Sequence, residues 1–121
     1  MASSHELGQQ GEDMAAVYLL QKGYAVLERN WRAGKEEIDI IAQTGGWLVF
    51  VEVKTRMSSC FGMPECSVTR IKQRRMIHAA NHYIRFNRCS SEARFDIISI
   101  IMNESGPELS HIEGAFYPTT N

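Results

Sequence analysis

Apolar and polar positions repeat with two different periods along this chain, and the period predicts the type of each element. Across residues 4–22, small and apolar side chains recur every three or four positions, as on one face of a helix. Two runs, 36–42 and 47–55, are rich in apolar residues and flank a Gly45-Gly46 pair, a sequence typical of a β-hairpin. The pattern therefore predicts a fold that contains both helices and strands.

The chain divides into elements of ordinary length joined by short connections. We predict, in order, a helix over 4–22 with Ser4 as its N-cap and Gly23 after its end, strands over 24–28, 36–42 and 47–55, a loop over 56–66, a helix over 67–87, a strand over 94–102, a turn over 103–107 and a last strand over 110–117. This α-β-β-β-α-β order, with one strand added, predicts a single α/β domain over residues 1–121 with a mixed sheet flanked by helices.

Charged residues interrupt both strands of the predicted hairpin. A turn that is symmetric about the Gly-Gly pair sets three cross-strand pairs: Thr44 with Trp47, Asp39 with Glu52, and Glu37 with Lys54. A loop with an odd number of residues shifts this register by one. In the symmetric register two carboxylates face each other, and at about 5 Å and an effective dielectric constant of about 20 they repel by roughly 3 kcal/mol.

A chain tolerates two facing carboxylates if one is protonated, if both are hydrated, or if a cation binds between them. Carboxylate oxygens with retained waters suit Mg²⁺ or Mn²⁺. Lys54 lies on the same strand face as Glu52 and suits a phosphate oxygen or an attacking water. These are the parts of a metal-dependent phosphodiester hydrolase. The alternative is a set of exposed ion pairs at a sheet edge, but the apolar residues over 48–53 favour a central strand.

Glu12 lies on the predicted first helix, on an inward-facing stripe of small residues that includes Gly8 and Gly11. Each helical glycine costs about 1 kcal/mol relative to alanine, so we expect close packing against the sheet to require them. Glu12 either lies at the solvated edge of this stripe or reaches the metal site directly or through water.

Positive charge is concentrated in the second predicted helix, although the net charge of the chain is only −1. Residues 67–91 contain no acidic residue and hold six of the thirteen lysines and arginines: Arg70, Lys72, Arg74, Arg75, Arg85 and Arg88. One helix face carries Arg70, Arg74, His78, His82 and Arg85, which we call the basic ridge. The ridge either contacts the phosphates of a polyanion or is only a solvated face. Lys72 lies on the more apolar face, from which it extends to solvent or reaches toward an active-site phosphate.

The cysteines and histidines give little indication of a zinc site. Cys60, Cys66 and Cys89 fit neither a zinc nor a CxxC spacing. His78 and His82 are four residues apart, but no carboxylate lies between them as it does in HExxH zinc motifs. The N-terminus lacks a basic-plus-apolar signal pattern, and no apolar run approaches the roughly 18 residues of a membrane span. We therefore expect a cytoplasmic protein with reduced thiols and no membrane association.

A group of short motifs resembles one known family. They are, in chain order, Gly11-Glu12, Gly23-Tyr24, Glu37-Ile38-Asp39, Phe50-Val51-Glu52-Val53-Lys54-Thr55-Arg56, Lys72 and Arg94-Phe95-Asp96. The chain resembles the YraN-like family of small bacterial proteins, which is similar to the archaeal Holliday junction resolvases of the PD-(D/E)XK, or restriction endonuclease-like, superfamily. The resemblance implies a restriction endonuclease-like αβββαβ core. It also implies that Asp39 and Glu52 ligate the metal, that Lys54 is the catalytic lysine, and that Glu12 is an auxiliary acid. The family usually has glycine where this chain has Glu36, which adds a carboxylate beside the site.

The expected function is therefore Mg²⁺- or Mn²⁺-dependent hydrolysis of phosphodiester bonds in DNA. We predict that Arg56, Arg70, Lys72 and Arg74 bind flanking phosphates. No base-reading motif is evident, so cleavage selective for DNA structure, as in resolvases, is expected rather than sequence recognition. The alternative is a non-catalytic nucleic-acid-binding protein or a subunit of a DNA-processing complex. The resemblance also favours a homodimer.

Overall fold

Within residues 4–57 and 68–118, which the computed structural model describes, five strands form one sheet in the order in which they occur along the chain. The elements are α1 (Ser4–Gln21), β1 (Ala25–Ala33), β2 (Glu36–Thr44), β3 (Trp47–Met57), α2 (Arg70–Asn87), β4 (Glu92–Asn103) and β5 (Gly106–Phe116). Strands β3 and β4 are parallel, and the other neighbouring pairs are antiparallel. The predicted α/β mixed sheet flanked by helices is confirmed.

The central hairpin has the predicted register. Thr44 pairs with Trp47, and the pairing continues regularly from this end of β2 and β3. Gly45 has a φ of 55°, a left-handed conformation that glycine adopts without a Cβ clash. Because β4 pairs with β3 on its other side, β3 lies in the centre of the sheet. The parallel β3–β4 pair needs a long crossover connection, and α2 lies within it.

The two helices cover opposite faces of the sheet. Along β3, Leu48 and Phe50 pack in a core cluster with α2, whereas Val49 and Val51 pack in a second cluster with α1. The α2 side of this core consists of the buried residues on the more apolar face of the helix: Met76, Ala79, Ala80 and Tyr83. The α1 side is formed by Ala15, Ala16 and Leu19. Neither of these two helices is long and apolar enough to cross a membrane.

Gly11 allows α1 to approach β3 closely. A Cβ atom on Gly11 would lie 1.8 Å from the Thr55 Oγ1 atom, so any larger residue forces the helix and strand apart. Gly8 is different, because a Cβ there would meet nothing within 4 Å. The prediction that close packing requires both glycines is therefore confirmed for Gly11 and wrong for Gly8.

Helix α1 ends as predicted but does not begin as predicted. Gly23 ends α1 with a φ of 93°, and it donates its N–H to the Leu20 carbonyl at 3.0 Å while Tyr24 donates to Leu19 at 2.9 Å. This is the predicted glycine termination. Ser4, predicted as the N-cap, is instead the first helical residue, and the residues before it lie outside the described range.

Helix α2 begins at Arg70 rather than at position 67, because Thr69 is its N-cap. The Thr69 hydroxyl accepts a hydrogen bond from the Lys72 N–H at 3.1 Å and so satisfies one free donor of the first turn. Position 67 and most of the predicted loop over 56–66, including Cys60 and Cys66, lie outside the described residues, while Arg56 belongs to β3.

Strands β1, β4 and β5 are longer than predicted. Strand β1 extends to Ala33 through a run of charged residues, and β5 starts at Gly106 with Pro107 as its second residue. Both are edge strands, whose outer side chains and free backbone edge remain in solvent. Since an exposed edge strand needs no apolar alternation, its sequence gives only a weak strand signal.

Candidate active site

The two strands of the central hairpin separate at Asp39. Their pairing ends at Ile40 with Val51, one pair before the predicted pair of Asp39 with Glu52. The Asp39 carboxylate instead accepts a hydrogen bond of 2.8 Å from the Val53 N–H, so it replaces a backbone acceptor of the ladder. The predicted continuation of regular pairing through Asp39 and Glu52 is therefore wrong, although the register places these residues beside each other.

The alternation of β2 is also interrupted at Asp39. Ile38 packs in the cluster on the α2 face, whereas Ile40, two residues later, packs in the cluster on the α1 face. Residues two apart in a regular strand share a face, so the chain turns between them. On β1, Asn30 lies across from Asp39, since its two neighbours pair with Ile40 and Ile38. Asn30 has a left-handed φ of 52°.

Glu52 is held between two lysines on the α2 side of the separation. It is only 5% exposed, and its Oε1 and Oε2 atoms lie 3.8 Å from the Lys54 Nζ and 3.6 Å from the Lys72 Nζ. Lys72 therefore reaches toward the acidic group, as we call Asp39, Glu52 and Glu12, rather than away from it. The alternative of exposed ion pairs at a sheet edge is wrong for Glu52, because β3 is central and its carboxyl group is buried.

Glu12 approaches the same group from α1. Burial raises the pKa of its carboxyl, and the nearby charge of Asp39 raises it further, which places Glu12 within electrostatic reach of the hairpin site. The side chain of Asn30 hydrogen-bonds the Glu12 carboxyl and lowers the pKa in part. The Oε1 atom of Glu12 is buried and has no hydrogen-bond partner. Glu12 is half-buried rather than fully solvated, and its contact with a metal stays a prediction.

The electrostatics of the site disfavour full ionisation. Burial raises the pKa of Glu52 to about 7, Asp39 raises it as well, and the nearby cations of Lys72 and Lys54 offset the shift only partly. Burial also raises the pKa of Asp39, against the opposing hydrogen bond from Val53. Two carboxyl groups with raised pKa values lie beside each other, so ionisation of both is disfavoured unless a cation binds between them.

The donor set fits a hard divalent cation. Glu12 Oε1 and Glu52 Oε2 are buried acceptors without hydrogen-bond partners, a condition that a bound cation relieves. In the described ranges, no three His, Cys, Asp or Glu side chains are already arranged around one point as metal ligands. Mg²⁺ keeps several of its waters and is commonly bound by one or two carboxylates, so Asp39 and Glu52, with Glu12 nearby, meet its needs.

A second buried acid, Asp96 on β4, has fully satisfied surroundings. Arg94 donates to both of its carboxylate oxygens at 2.9 Å, and the Gly114 N–H donates to Oδ1 at 3.0 Å. His111 lies 2.7 Å from Oδ2, and its other ring nitrogen lies 3.1 Å from the Tyr18 hydroxyl on α1. Although burial opposes it, this hydrogen bonding lowers the pKa of Asp96. The network joins β4, β5 and α1, and we assign it to the stability of the fold.

Two acidic residues near Asp39 are directed elsewhere. Glu37 was predicted to face Lys54, but its carboxylate lies 3.0 Å from the guanidinium group of Arg32 on β1. Glu36 lies on the other side of β2, where its Oε2 is 2.6 Å from Nδ1 of His78 on α2. The additional carboxylate of this chain therefore contacts the second helix instead of the acidic group.

The predicted phosphate-binding residues fall into two groups. Lys72 belongs to the acidic site, and Arg56 is half-buried near the end of β3. Arg70 and Arg74 are exposed on α2 and line a cavity of about 90 Å³ with Gln73, Ile77 and Tyr117. The structure does not bring Arg70 or Arg74 into contact with the acidic group. Tyr117, which is 74% exposed beside these arginines, was not predicted as a binding residue.

A larger cavity of about 450 Å³ lies beside Glu12 between the N-terminal part of α1 and β1–β2. Its lining residues are His5, Gly8, Gln9, Glu12, Asn30, Arg32 and Glu37. Apart from Glu12, these residues were not predicted as part of the site. They come from α1, β1 and β2, which are distant in the sequence, so only the fold reveals their proximity.

Similar sequences support one assignment. Residues 11–100 match the family described as "Uncharacterised protein family UPF0102". This chain belongs to the UPF0102 family. A UPF0102 protein of Phocaeicola vulgatus is 44% identical over 118 residues, which is 98% of each chain. One from Thermodesulfovibrio yellowstonii is 45% identical over 112 residues, 93% of this chain and 96% of the relative. One from Rhodococcus opacus is 43% identical over 118 residues, 96% of this chain and all of the relative.

The region matched to the UPF0102 family contains the whole acidic group and both lysines. It begins at the Gly11–Thr55 contact and includes the separated hairpin and α2. It ends within β4, before β5 supplies His111 and Gly114 to the Asp96 network. The UPF0102 match therefore covers the candidate site and only part of the stabilising network.

Proposed function

We propose that this UPF0102 protein is a metal-dependent nuclease that hydrolyses phosphodiester bonds in DNA and selects its substrate by structure. One observation carries the proposal: Glu52 is buried in a central strand beside a second carboxyl, Asp39, with Lys54 and Lys72 on either side of it. Asp96 demonstrates how this chain stabilises a buried acid that serves the fold. Glu52 lacks such donors, and acids with raised pKa values in partly solvated sites are typical of function.

The element order supports placing the chain in the PD-(D/E)XK superfamily. A helix, three antiparallel strands, a crossover helix and a parallel strand follow one another, as in a restriction endonuclease-like core. The candidate motif, Asp39 followed by Glu52-Val53-Lys54, lies on the second and third strands of this core. Fold similarity alone does not establish activity, so the proposal depends on the site.

The residues of the site have separate parts in the proposed hydrolysis. Asp39 and Glu52 would hold Mg²⁺ or Mn²⁺, with Glu12 as an auxiliary acid. When bound, the cation supplies a water of lowered pKa and stabilises charge on the phosphate. Lys54, which is one-third exposed, donates hydrogen bonds to the attacking water or to a phosphate oxygen. Lys72 favours the ionised form of Glu52, which partly offsets the effect of burial, and it offers a second positive charge to the substrate.

The exposed arginines of α2 supply the proposed contacts with the DNA backbone. Arg70 and Arg74 lie on a helix without acidic residues, so their charges are available to phosphates. Arg56 lies on the same strand as Glu52 and Lys54 and would bind a phosphate nearer the site. Contacts with phosphates position a nucleic acid without reading bases, which agrees with selection by structure.

The test is cleavage of branched, single-stranded and double-stranded DNA with Mg²⁺ or Mn²⁺ added. We expect the wild type to cleave at least one of these substrates, and Asp39→Asn and Glu52→Gln to lose activity by a hundredfold or more. Glu108→Gln is the matched control, since Glu108 is exposed on β5 and should be replaceable without loss. Equal cleavage by wild type and Glu52→Gln would contradict the proposed site.

The second candidate is a non-catalytic nucleic-acid-binding protein, or a subunit of a DNA-processing complex. It is favoured by the exposed Arg70 and Arg74 beside the exposed ring of Tyr117, since arginines and aromatic rings together bind unpaired nucleic acid. A wild type that binds the substrate panel in a salt-dependent way but cleaves none of it in either metal would support this candidate.

A further inference from the structure

Asn30 has a left-handed backbone conformation inside β1, and it lies across from the point at which β2 is irregular. It is one of two residues other than glycine with a left-handed φ in the described ranges, the other being Arg88 at the end of α2. Arg88 ends a helix, where such a conformation is common. Asn30 lies inside a strand, where an extended residue would normally occur. The conformation of Asn30 therefore needs a local reason.

The position of Asn30 in the sheet provides that reason. It lies across from Asp39, at the point where the packing of β2 changes from the α2 face at Ile38 to the α1 face at Ile40. Strands β1 and β2 keep the same pairing register on both sides of this point. A turn of β1 at Asn30 and a turn of β2 at Asp39 thus occur together, and Asp39 leaves the ladder there to bond Val53.

The side chain of Asn30 acts at the same point. Its amide lies close enough to the Glu12 carboxyl of α1 to lower the pKa of that group, while the buried Glu12 Oε1 atom has no hydrogen-bond partner. Both residues line the cavity of about 450 Å³ beside the site. The side chain of Asn30 therefore acts on Glu12, and its backbone accommodates the irregular position of Asp39.

We infer that Asn30 is a positioning residue of the candidate cation site, where its left-handed backbone allows Asp39 to leave the pairing with β3 and its amide orients Glu12. The inference rests on the proposed function and adds to it a residue that does not itself ligate the cation. Residues that orient metal ligands commonly change metal affinity by ten- to a hundredfold when replaced. Asparagine suits both tasks, because it tolerates the left-handed region better than most residues and carries an amide.

Two substitutions separate the backbone role from the side-chain role. Asn30→Gly keeps the left-handed conformation accessible and removes only the amide. Asn30→Ala removes the amide and also disfavours the conformation. Arg88→Gly is the matched control, since it replaces the other left-handed residue far along the chain, and it should leave metal affinity unchanged.

The experiment is a Mn²⁺ titration of each full-length variant followed by electron paramagnetic resonance, with the urea midpoint measured on the same samples. We expect Asn30→Gly to bind Mn²⁺ about tenfold more weakly than wild type at an unchanged urea midpoint. Asn30→Ala should bind more weakly still and unfold at lower urea. An unchanged Mn²⁺ affinity in Asn30→Gly overturns the inference while the proposed function stands. Wild-type binding that Asp39→Asn does not weaken overturns the proposed function and the inference together.

Discussion

At the scale of single residues, two buried carboxyl groups on adjacent strands have opposite electrostatic surroundings. Asp96 and Glu52 are both buried acids, with exposures of 0% and 5%. Hydrogen bonds from Arg94 and the Gly114 N–H, together with the contact to His111, lower the pKa of Asp96, whereas burial and Asp39 raise that of Glu52. The alternating Arg-Phe-Asp motif indicates that Arg94 and Asp96 share a strand face, but the sequence alone does not show which acid has enough donors.

Glu52 should make stability depend on pH. Its folded-state pKa of about 7 lies above the ordinary value of 4.5, so its contribution to stability is complete below about pH 4.5 and is lost as the pH rises through 7. Glu52→Gln removes this loss, so the variant should gain stability relative to wild type between pH 5 and pH 8, on the order of 2 kcal/mol. Urea unfolding at both pH values, without divalent cations, measures the difference.

The control for this pH prediction is Glu108→Gln, whose pH profile should match that of wild type because Glu108 is exposed. Asp96 does not interfere, since its pKa is lowered and its contribution is lost only as the pH falls through the acidic range below 3.8. Parallel stability profiles for wild type and Glu52→Gln from pH 5 to pH 8 would show that folding does not raise the pKa of the Glu52 carboxyl.

The two helical glycines should respond in opposite directions to alanine. Gly11→Ala places a Cβ 1.8 Å from Thr55 Oγ1 and should lower the free energy of unfolding, by about 1–3 kcal/mol for an overpacked contact. Gly8→Ala meets no atom within 4 Å and should raise it, by up to about 1 kcal/mol from helix propensity. Urea unfolding measures both, and Thr55→Ala combined with Gly11→Ala should recover part of the loss. Equal effects of the two substitutions would contradict the close approach of α1 and β3.

At the scale of elements, hydrophobic periodicity predicted the helices and the central strands well. The apolar face of α2, the Gly-Gly turn and the end of α1 at Gly23 all follow from local sequence. The edge strands β1 and β5 were predicted too short, because their charged and polar residues remain in solvent and need no alternation. The irregular backbone at Asn30 and Asp39 could not be predicted from the sequence. It becomes evident only from the packing of β2, which is on the α2 face at Ile38 and on the α1 face at Ile40.

The basic ridge of α2 is predicted to contact nucleic-acid phosphates through several of its side chains. Replacing Arg70 and Arg74 by alanine removes two exposed charges that do not contact the acidic site, so it should flatten the plot of log affinity against log salt by about one to two units. Fluorescence anisotropy with a labelled oligonucleotide at several salt concentrations measures the slope. Arg75→Ala, exposed on the same helix but outside the ridge, is the matched control and should change the slope less. An unchanged slope in the double variant would identify the ridge as a solvated face.

At the scale of the whole molecule, the candidate site is an assembly of four elements. Helix α1 contributes Glu12, the hairpin contributes Asp39, Glu52 and Lys54, and α2 contributes Lys72. The sequence predicted the hairpin part because its residues are close in the chain and share one register. It left Glu12 and Lys72 undecided, since the direction of a helical side chain depends on how the helix packs. Residues such as Asn30, with no motif of their own, became evident only in the folded chain.

Lys54 distinguishes an enzyme from a binding protein with the same fold. Its Nζ lies 3.8 Å from Glu52, so Lys54→Ala removes one charge at the proposed reaction centre and leaves the arginines of α2 in place. Losing a charge that acts in the transition state should cost several kcal/mol of barrier, about a hundredfold or more in rate, whereas losing one ground-state phosphate contact costs far less affinity. We therefore expect Lys54→Ala to bind DNA nearly as wild type does and to cleave it at least a hundredfold more slowly. The matched control is Lys22→Ala, which replaces a lysine that follows the C-terminal end of α1 and is paired with Glu113, and it should change neither quantity. Cleavage by Lys54→Ala at the wild-type rate would show that hydrolysis, if present, occurs at another site, and a parallel loss of binding and cleavage would assign Lys54 to substrate binding alone.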